Sequence, residues 1–162
     1  MRRCGYRPSV SRYIVGTPGD EEFEPGSERQ VLRSKLRLTN PREIDHIEAA
    51  LLTVAQARSY GHIETETPIT VALIRDLHRS WLGTLYEFAG EIRSVDLIKD
   101  TLCFAPVAYI DGTLQALDRT LATHTPCSRM DLDGLVSSIA YVHAELILVH
   151  PFREANGRLS RW

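Results

Sequence analysis

The sequence has little cysteine, and its few thiols form no recognisable pattern. Only Cys4, Cys103 and Cys127 are present among 162 residues, and no C-x-x-C pair occurs. This spacing is not that of a zinc knuckle or of a dithiol redox pair. We therefore expect reduced thiols in a cytoplasmic protein.

The sequence also lacks basic runs and long apolar runs. Its formal net charge is −2, its pI is near 6.3, and no five basic residues stand together, so nucleic acid is not an expected partner. No segment approaches the ~20 apolar residues that span a bilayer, and no apolar stretch follows Arg2 and Arg3 as in an export signal. We expect no membrane partner. The composition, 43% hydrophobic and 25% charged, is typical of one globular domain.

The first 39 residues predict an irregular N-terminal arm. Turn-forming clusters occur at residues 16–20 and 24–27, with little hydrophobic periodicity around them. Regular structure is expected from residue 40, so we divide the chain into an arm over 1–39 and a domain core over 40–162. Residues 158–161 can begin a further short helix with barely one turn before Trp162, so we also expect the natural chain to continue past Trp162.

Four stretches of the core carry apolar residues at helical spacing, which predicts four helices. These stripes are Ile44, Ile47, Leu51 and Val54 in a helix from Asn40 to about Gly61; Leu73, Ile74, Leu77 and Trp81 in a helix from Thr70 to Gly83; Ile110, Leu114, Leu117 and Leu121 in a helix after Pro106; and Leu135, Val136, Ile139, Ala140, Val142, Leu146, Ile147 and Val149 in a helix that begins at Asp131 or Asp133. The fourth helix is apolar on most sides, which predicts a place in the middle of a bundle.

One segment between the helices has a different period. Residues 92–97 alternate in polarity, Lys99 and Asp100 can form a turn, and residues 101–104 can return, which predicts a short hairpin. The predicted fold is therefore all-α, a helical bundle with one short β-hairpin.

The loop after the fourth helix offers groups that suit phosphate chemistry. His150 stands where that helix meets Pro151, and an imidazole can accept a hydroxyl proton. The small residues Ala155, Asn156 and Gly157 permit close backbone approach, and their N–H groups would lie at the N-terminus of the next helix. Such an end binds anions through free donors and the helix dipole.

Charged side chains accompany that loop. Arg158 and Arg161 are three residues apart on one helix face and can contact further phosphate oxygens. Glu154 supplies one carboxylate, and Mg²⁺ beside bound phosphates takes one or two protein carboxylates. Each of these residues alone is more often an ordinary surface group, but all of them fall within twelve residues.

The segment from His150 to Arg161 matches the pattern H-x-F-x-[D/E]-[G/A]-N-[G/K]-R-x-x-R at every constrained position. This is the signature of the Fic family, which the chain therefore resembles. Residues 90–93 and 104–106 also resemble the segments that bracket the β-hairpin flap of that family. The resemblance covers roughly residues 40–162 and implies a helical bundle of the Fic type.

The resemblance also implies ATP and Mg²⁺ as cofactors and a role for each residue of the motif. His150 would deprotonate a Ser, Thr or Tyr hydroxyl of a target protein, and Phe152 would anchor the loop. Glu154 would hold Mg²⁺, and Asn156 and the Gly157 N–H would hold the α-phosphate. Arg158 would neutralise the departing pyrophosphate, and Arg161 would reach the γ-phosphate. The target would dock as an added strand along the hairpin over 92–104. Ala155 replaces the commoner glycine, and the family pattern admits it.

Three activities remain open for such a protein. Gly157 favours transfer of AMP, whereas a lysine at this position is typical of Doc-like kinases that transfer the γ-phosphoryl group. The third alternative is a scaffold that binds a nucleotide or partner without transfer.

The sequence carries no convincing inhibitory motif. Fic proteins are often silenced by [S/T]-x-x-x-E-[G/N], but Glu22 and Ile44 occupy the last position after the two pairs with this spacing, Thr17 with Glu21 and Thr39 with Glu43. We therefore expect restraint by an antitoxin-like protein or by a helix beyond Trp162.

Overall fold

The computed structural model describes residues 14–15, 22–128 and 130–162. Its helices are α1 (Pro41–Ser59), α2 (Val71–Leu82), α3 (Ile110–His124), α4 (Leu132–Val149) and α5 (Asn156–Leu159), and its strands are β1 (Ile14–Val15), β2 (Leu97–Lys99) and β3 (Leu102–Cys103). The predicted helical bundle with a small hairpin is confirmed.

Three helices begin at side chains that accept a hydrogen bond from the first turn. Asn40 Oδ1 accepts from the N–H of Arg42 at 3.0 Å, and Thr70 Oγ1 accepts from the N–H of Leu73 at 3.1 Å. Asp131, the earlier of the two predicted starts of α4, caps it in the same way. Capping residues are visible in a sequence because they act within four residues.

The core lies where α1 packs on α2 and α3 packs on α4. All four apolar positions predicted for α3 are buried. On α2 the buried residues are Ile74, His78, Trp81 and Leu82. The polar His78 in this set belongs to the site described below.

The buried face predicted for α1 is partly wrong. Val54 is 46% exposed, whereas the residues that α1 buries are Ile44, Glu48, Ala55 and Ser59. The spacing of those four is also helical, but the stripe contains a glutamate and a serine. A pattern of apolar residues alone therefore places the buried face incorrectly.

The central position predicted for α4 is wrong as well. The helix buries only Ser138, Leu146 and Val149, while Leu132 is 73% exposed and Val136 is 58% exposed. An apolar surface shows that a neighbour can pack there, not that one does. By length and composition α4 could also cross a membrane. In the structure it packs on α3 and leads directly into the candidate site.

The hairpin is shorter than predicted and has an additional strand. Ile98 lies opposite Cys103 in the antiparallel pair of β2 and β3, and residues 92–96 are not part of a strand. Strand β1 pairs antiparallel with the other edge of β2, with Val15 opposite Leu97. No strand was expected in the arm. Its turn cluster over 16–20 and the pair Thr17 and Glu21 lie outside the described residues, and residues 22–39 are irregular.

Candidate active site

His150 ends α4 with its backbone in the left-handed region, at φ 51° and ψ 60°. Its N–H donates to the Leu146 carbonyl at 3.0 Å. This conformation stops the helix at His150. The helix and the bend together hold the imidazole beside the loop over 151–155.

The hydrogen bonding of His150 determines which ring nitrogen carries the proton. Nδ1 lies 3.0 Å from the Ile147 carbonyl oxygen, which can only accept, so the proton is on Nδ1 and Nε2 is the basic nitrogen. The residue is 3% exposed. Burial lowers the pKa of His150 to about 4, and the charges of Arg93 and Lys99 lower it further, against the Ile147 bond, which raises it. The imidazole is therefore neutral near pH 7.

Phe152 anchors the loop through a histidine on α2. Its ring is fully buried and stacks on His78, with centroids 4.0 Å apart and planes 8° apart. His78 Nδ1 accepts from the N–H of Gly90 at 2.8 Å, so Nε2 carries the proton and donates to the Glu154 carbonyl at 3.2 Å. Burial lowers the pKa of His78 to about 4, which keeps this arrangement neutral.

Asn156 closes the loop on itself. Its side-chain oxygen accepts from the N–H of Phe152 at 2.9 Å, and its side-chain nitrogen donates to the Phe152 carbonyl at 2.7 Å. The carboxamide is fully buried and hydrogen-bonded at both ends. In this conformation Asn156 shapes the loop, and the donors available to a phosphate are those of the backbone.

Two of those donors have no partner among the described residues. Ala155 adopts a left-handed conformation, at φ 71° and ψ 0°, and precedes the short helix α5. Within residues 14–15, 22–128 and 130–162, the N–H groups of Asn156 and Gly157 have no acceptor. Unpaired N–H groups at the start of a helical turn attract anions. Glu154 lies beside them, and its Oε1 accepts from the N–H of Ala155 at 3.0 Å.

The two motif arginines have different environments. Arg158 forms an ion pair with Glu48 of α1, and its guanidinium carbon lies 5.0 Å from the centre of the Trp81 ring. Arg161 is exposed, and its Nη1 would lie 3.9 Å from a β-carbon placed on Gly157. Both positive charges are therefore held near the loop over 154–157.

Arg93 joins the hairpin segment over residues 92–104, which we call the flap, to the end of α4. Its buried guanidinium donates to the carbonyls of His150 at 2.7 Å, Val95 at 2.7 Å and Val149 at 3.2 Å, and also to that of Ala105. The resemblance included Arg93, but sequence reasoning assigned it no role. It also missed Glu48 and His78. Each is a polar residue at a buried position of a helix, and this is the only feature that could have indicated a role for them.

Comparisons with known proteins find relatives of the family that the motif resembles. A sequence model of the Fic/DOC family matches residues 68–162. The chain is 28% identical over 136 residues to the protein adenylyltransferase VbhT of Bartonella schoenbuchensis, 29% identical over 135 residues to the probable protein adenylyltransferase y4lH of Sinorhizobium fredii, and 26% identical over 148 residues to the probable protein adenylyltransferase Fic of Escherichia coli. These matches cover 83%, 83% and 90% of the chain and 28%, 67% and 70% of the relatives, so the chain spans little more than a quarter of VbhT.

Solved structures resemble the fold as well. The N-terminal Fic domain of an effector protein from Bartonella sp. AR 15-3 superposes with a TM-score of 0.74 at 18% identity, over 86% of this chain and 68% of that one. BepC of Bartonella tribocorum, solved with bound AMPPNP, superposes with a TM-score of 0.72 at 20% identity, over 86% and 72%. At these identities the likeness concerns the fold.

Proposed function

Because the chain belongs to the Fic/DOC family, we propose that it is a protein adenylyltransferase that moves AMP from ATP to a Ser, Thr or Tyr hydroxyl of a target protein. One observation carries the proposal: a neutral imidazole whose Nε2 is unprotonated stands at the start of a loop with two N–H groups that have no acceptor in the described part of the chain. A proton acceptor and an anion site, close together, are what transfer of a phosphate-linked group to a hydroxyl requires.

The proposed reaction follows from this arrangement. The target hydroxyl loses its proton to Nε2 of His150, and its oxygen attacks the α-phosphorus of ATP. A new P–O bond forms to the target, the bond from the α-phosphorus to the bridging oxygen breaks, and pyrophosphate leaves. The N–H groups of Asn156 and Gly157 bind α-phosphate oxygens, Arg158 neutralises the leaving group, and Arg161 binds the γ-phosphate.

Glu154 is the residue proposed to hold Mg²⁺. No three His, Cys, Asp or Glu residues of the described chain lie close enough to hold a metal ion by themselves. A single carboxylate next to the phosphate site fits an ion whose other ligands are phosphate oxygens and water. When bound there, Mg²⁺ supplies charge neutralisation for the α- and β-phosphates.

The target is proposed to dock along the flap over 92–104. Strand order β1-β2-β3 leaves the outer edge of β3 unpaired within the described residues, and Leu102 and Cys103 are both exposed. An extended peptide can add to such an edge through backbone hydrogen bonds. Phe104, which follows β3, contacts His150, so a strand added here would lie near the proposed base.

Transfer of AMP, rather than of the γ-phosphoryl group, is supported by Gly157 in the motif and by the names of the curated relatives, at 26–29% identity. ATP as substrate is supported by the neighbour that was solved with AMPPNP.

The experiment uses ATP labelled at either the α- or the γ-phosphate. The 162-residue protein is incubated with Mg²⁺, labelled ATP and cell lysate, and protein-bound label is measured. We expect label from the α-phosphate only. Label from the γ-phosphate would indicate the kinase alternative, and no label together with measurable ATP binding would indicate a scaffold. Restraint by an antitoxin-like partner is tested by adding the product of any adjacent small gene to the same assay.

A further inference from the structure

The buried carboxylate of Glu48 reaches the motif from a helix that lies more than one hundred residues earlier in the chain. Glu48 is 2% exposed, and its Oε2 accepts from Nη2 of Arg158 in an ion pair. Arg158 itself is 21% exposed at its side chain. The pair therefore has one buried member and one that remains accessible to a ligand.

Glu48 is held on its other side by two aromatic residues. Its Oε1 accepts from the Tyr86 hydroxyl at 2.7 Å, and its backbone carbonyl accepts from Trp81 Nε1 at 2.8 Å. Burial raises the pKa of Tyr86 well above its usual value, and the charge of Glu48 raises it further, so the hydroxyl stays a donor. Each oxygen of the carboxylate thus has one partner, which prevents rotation of the group.

Trp81 also contacts the side chain of Arg158. Trp81 is almost fully buried, and the guanidinium carbon of Arg158 lies 5.0 Å from its ring centre, within the range of a cation–π contact. Glu48 binds one nitrogen of Arg158. The other two, Nε and Nη1, have no hydrogen-bond partner among residues 14–15, 22–128 and 130–162.

We infer that Glu48 is a positioning residue: with Tyr86 and Trp81 it orients the guanidinium of Arg158 so that Nε and Nη1 bind the β- and γ-phosphate oxygens of ATP. This inference rests on the proposed function and adds to it a residue outside the motif. A planar guanidinium held at one nitrogen and on one face presents its remaining N–H groups in a defined direction.

A competing effect has the opposite sign. Glu48 neutralises Arg158, and a neutralised arginine attracts phosphate less strongly. If neutralisation dominates, removing the charge of Glu48 tightens ATP binding. If orientation dominates, removing it weakens ATP binding while AMP binding is unchanged, because AMP lacks the phosphates that Arg158 contacts. The ratio of the two affinities therefore separates the effects.

The test compares Glu48→Gln, Tyr86→Phe and Arg158→Gln with the double variant of Glu48 and Arg158. Glu24→Gln is the matched control, because Glu24 is also a buried carboxylate and lies in the arm, where it accepts from the N–H of Ser34. Dissociation constants for ATP and AMP are measured by calorimetry with Mg²⁺, together with the melting temperature and α-label transfer.

We expect Glu48→Gln to weaken ATP binding about tenfold, as loss of a hydrogen bond to a charged group does, and to change AMP binding less than about twofold. Tyr86→Phe should act in the same direction and more weakly. In the Arg158→Gln background, Glu48→Gln should have no further effect on ATP binding. Glu24→Gln should leave the ratio of ATP to AMP affinity unchanged.

Several outcomes would overturn the inference. Equal weakening of ATP and AMP with a lower melting temperature would assign Glu48 a structural role only, and tighter ATP binding would show that neutralisation dominates. If Glu48→Gln does not fold, Tyr86→Phe with an unchanged affinity ratio would contradict the inference.

Transfer of α-label by the wild type with an unchanged ratio of ATP to AMP affinity in Glu48→Gln overturns the positioning role alone. No transfer with the expected change of ratio overturns the proposed function alone, and absence of ATP binding overturns both.

Discussion

The imidazole of His150 stacks on the phenyl ring of Phe104, with ring centroids 3.6 Å apart and planes 20° apart. Phe104 follows the last strand of the flap, and His150 ends α4, so the contact joins two segments that are 46 residues apart in the sequence. The ring of Phe104 shields the imidazole from water. Since burial is the largest cause of the low pKa of His150, we expect the Phe104 ring to contribute to that shift.

Phe104→Ala should therefore raise the pKa of His150 from about 4 toward the ordinary value of 6.5. The measurement is an NMR titration of the imidazole resonances. Leu102→Ala, an exposed position on the same hairpin, is the matched control and should leave the titration unchanged. An unaltered pKa in Phe104→Ala would mean that other groups desolvate His150.

His150→Ala should lower α-label transfer by about 10²- to 10⁴-fold, the usual contribution of a general base, and leave the dissociation constant of ATP within about twofold. Transfer is measured with labelled ATP, and binding by calorimetry. His62→Ala, at an exposed position, serves as the control. Undiminished labelling by His150→Ala would refute its assignment as the base.

Glu154→Gln should increase the Mg²⁺ concentration needed for half-maximal ATP binding by about tenfold, because the charge that attracts the ion is lost. Gln keeps an oxygen that can accept from the N–H of Ala155, so the loop should stay intact. Glu154→Ala, by contrast, removes both the negative charge and this hydrogen-bond acceptor. The comparison is made by calorimetry over a Mg²⁺ series, with Glu43→Gln on the exposed surface of α1 as control. If Mg²⁺ dependence is the same in all variants, the ion is held elsewhere.

Arg93→Lys should reduce the free energy of unfolding by about 3 kcal/mol or more, because an ammonium cannot reach the four carbonyls that the guanidinium contacts and is left buried. Urea denaturation measures the loss. Arg42→Lys, at an exposed position of α1, should cost less than about 0.5 kcal/mol. Equal stability of the two variants would contradict the role of Arg93 in joining the flap to α4.

Stability should fall in mild acid. Burial lowers the pKa values of both His78 and His150 to about 4, from 6.5, so between these pH values the unfolded chain binds more protons than the folded one. The stabilisation is fully present above pH 6.5 and is lost as the pH falls toward 4. From pH 7.5 to 5.0 each histidine should cost about 2 kcal/mol of unfolding free energy.

Urea denaturation at a series of pH values measures this loss. His46→Asn, exposed on α1, should keep the full pH dependence, and His78→Gln should reduce it. A wild-type protein whose stability is the same at pH 7.5 and 5.0 would show that neither histidine is buried as described.

Much of the fold was predictable because helices are encoded locally. The caps Thr70 and Asp131 act on N–H groups three residues away, and the stripe of α3 repeats every three or four residues, so a single short stretch contains the signal. The hairpin was located for the same reason. Its partner β1 was not, because two residues in an irregular arm carry no period that identifies them.

The twelve-residue motif determined which groups the site contains: its residues are neighbours in the chain, so their chemistry can be read before any fold is known. Only the tertiary structure decided how those groups are held. His78, Arg93 and Glu48 contact the motif from 76, 57 and 110 residues away, and each is a polar residue at a buried position. The pairing of such residues depends on which helices dock together, and that docking leaves no period in the sequence.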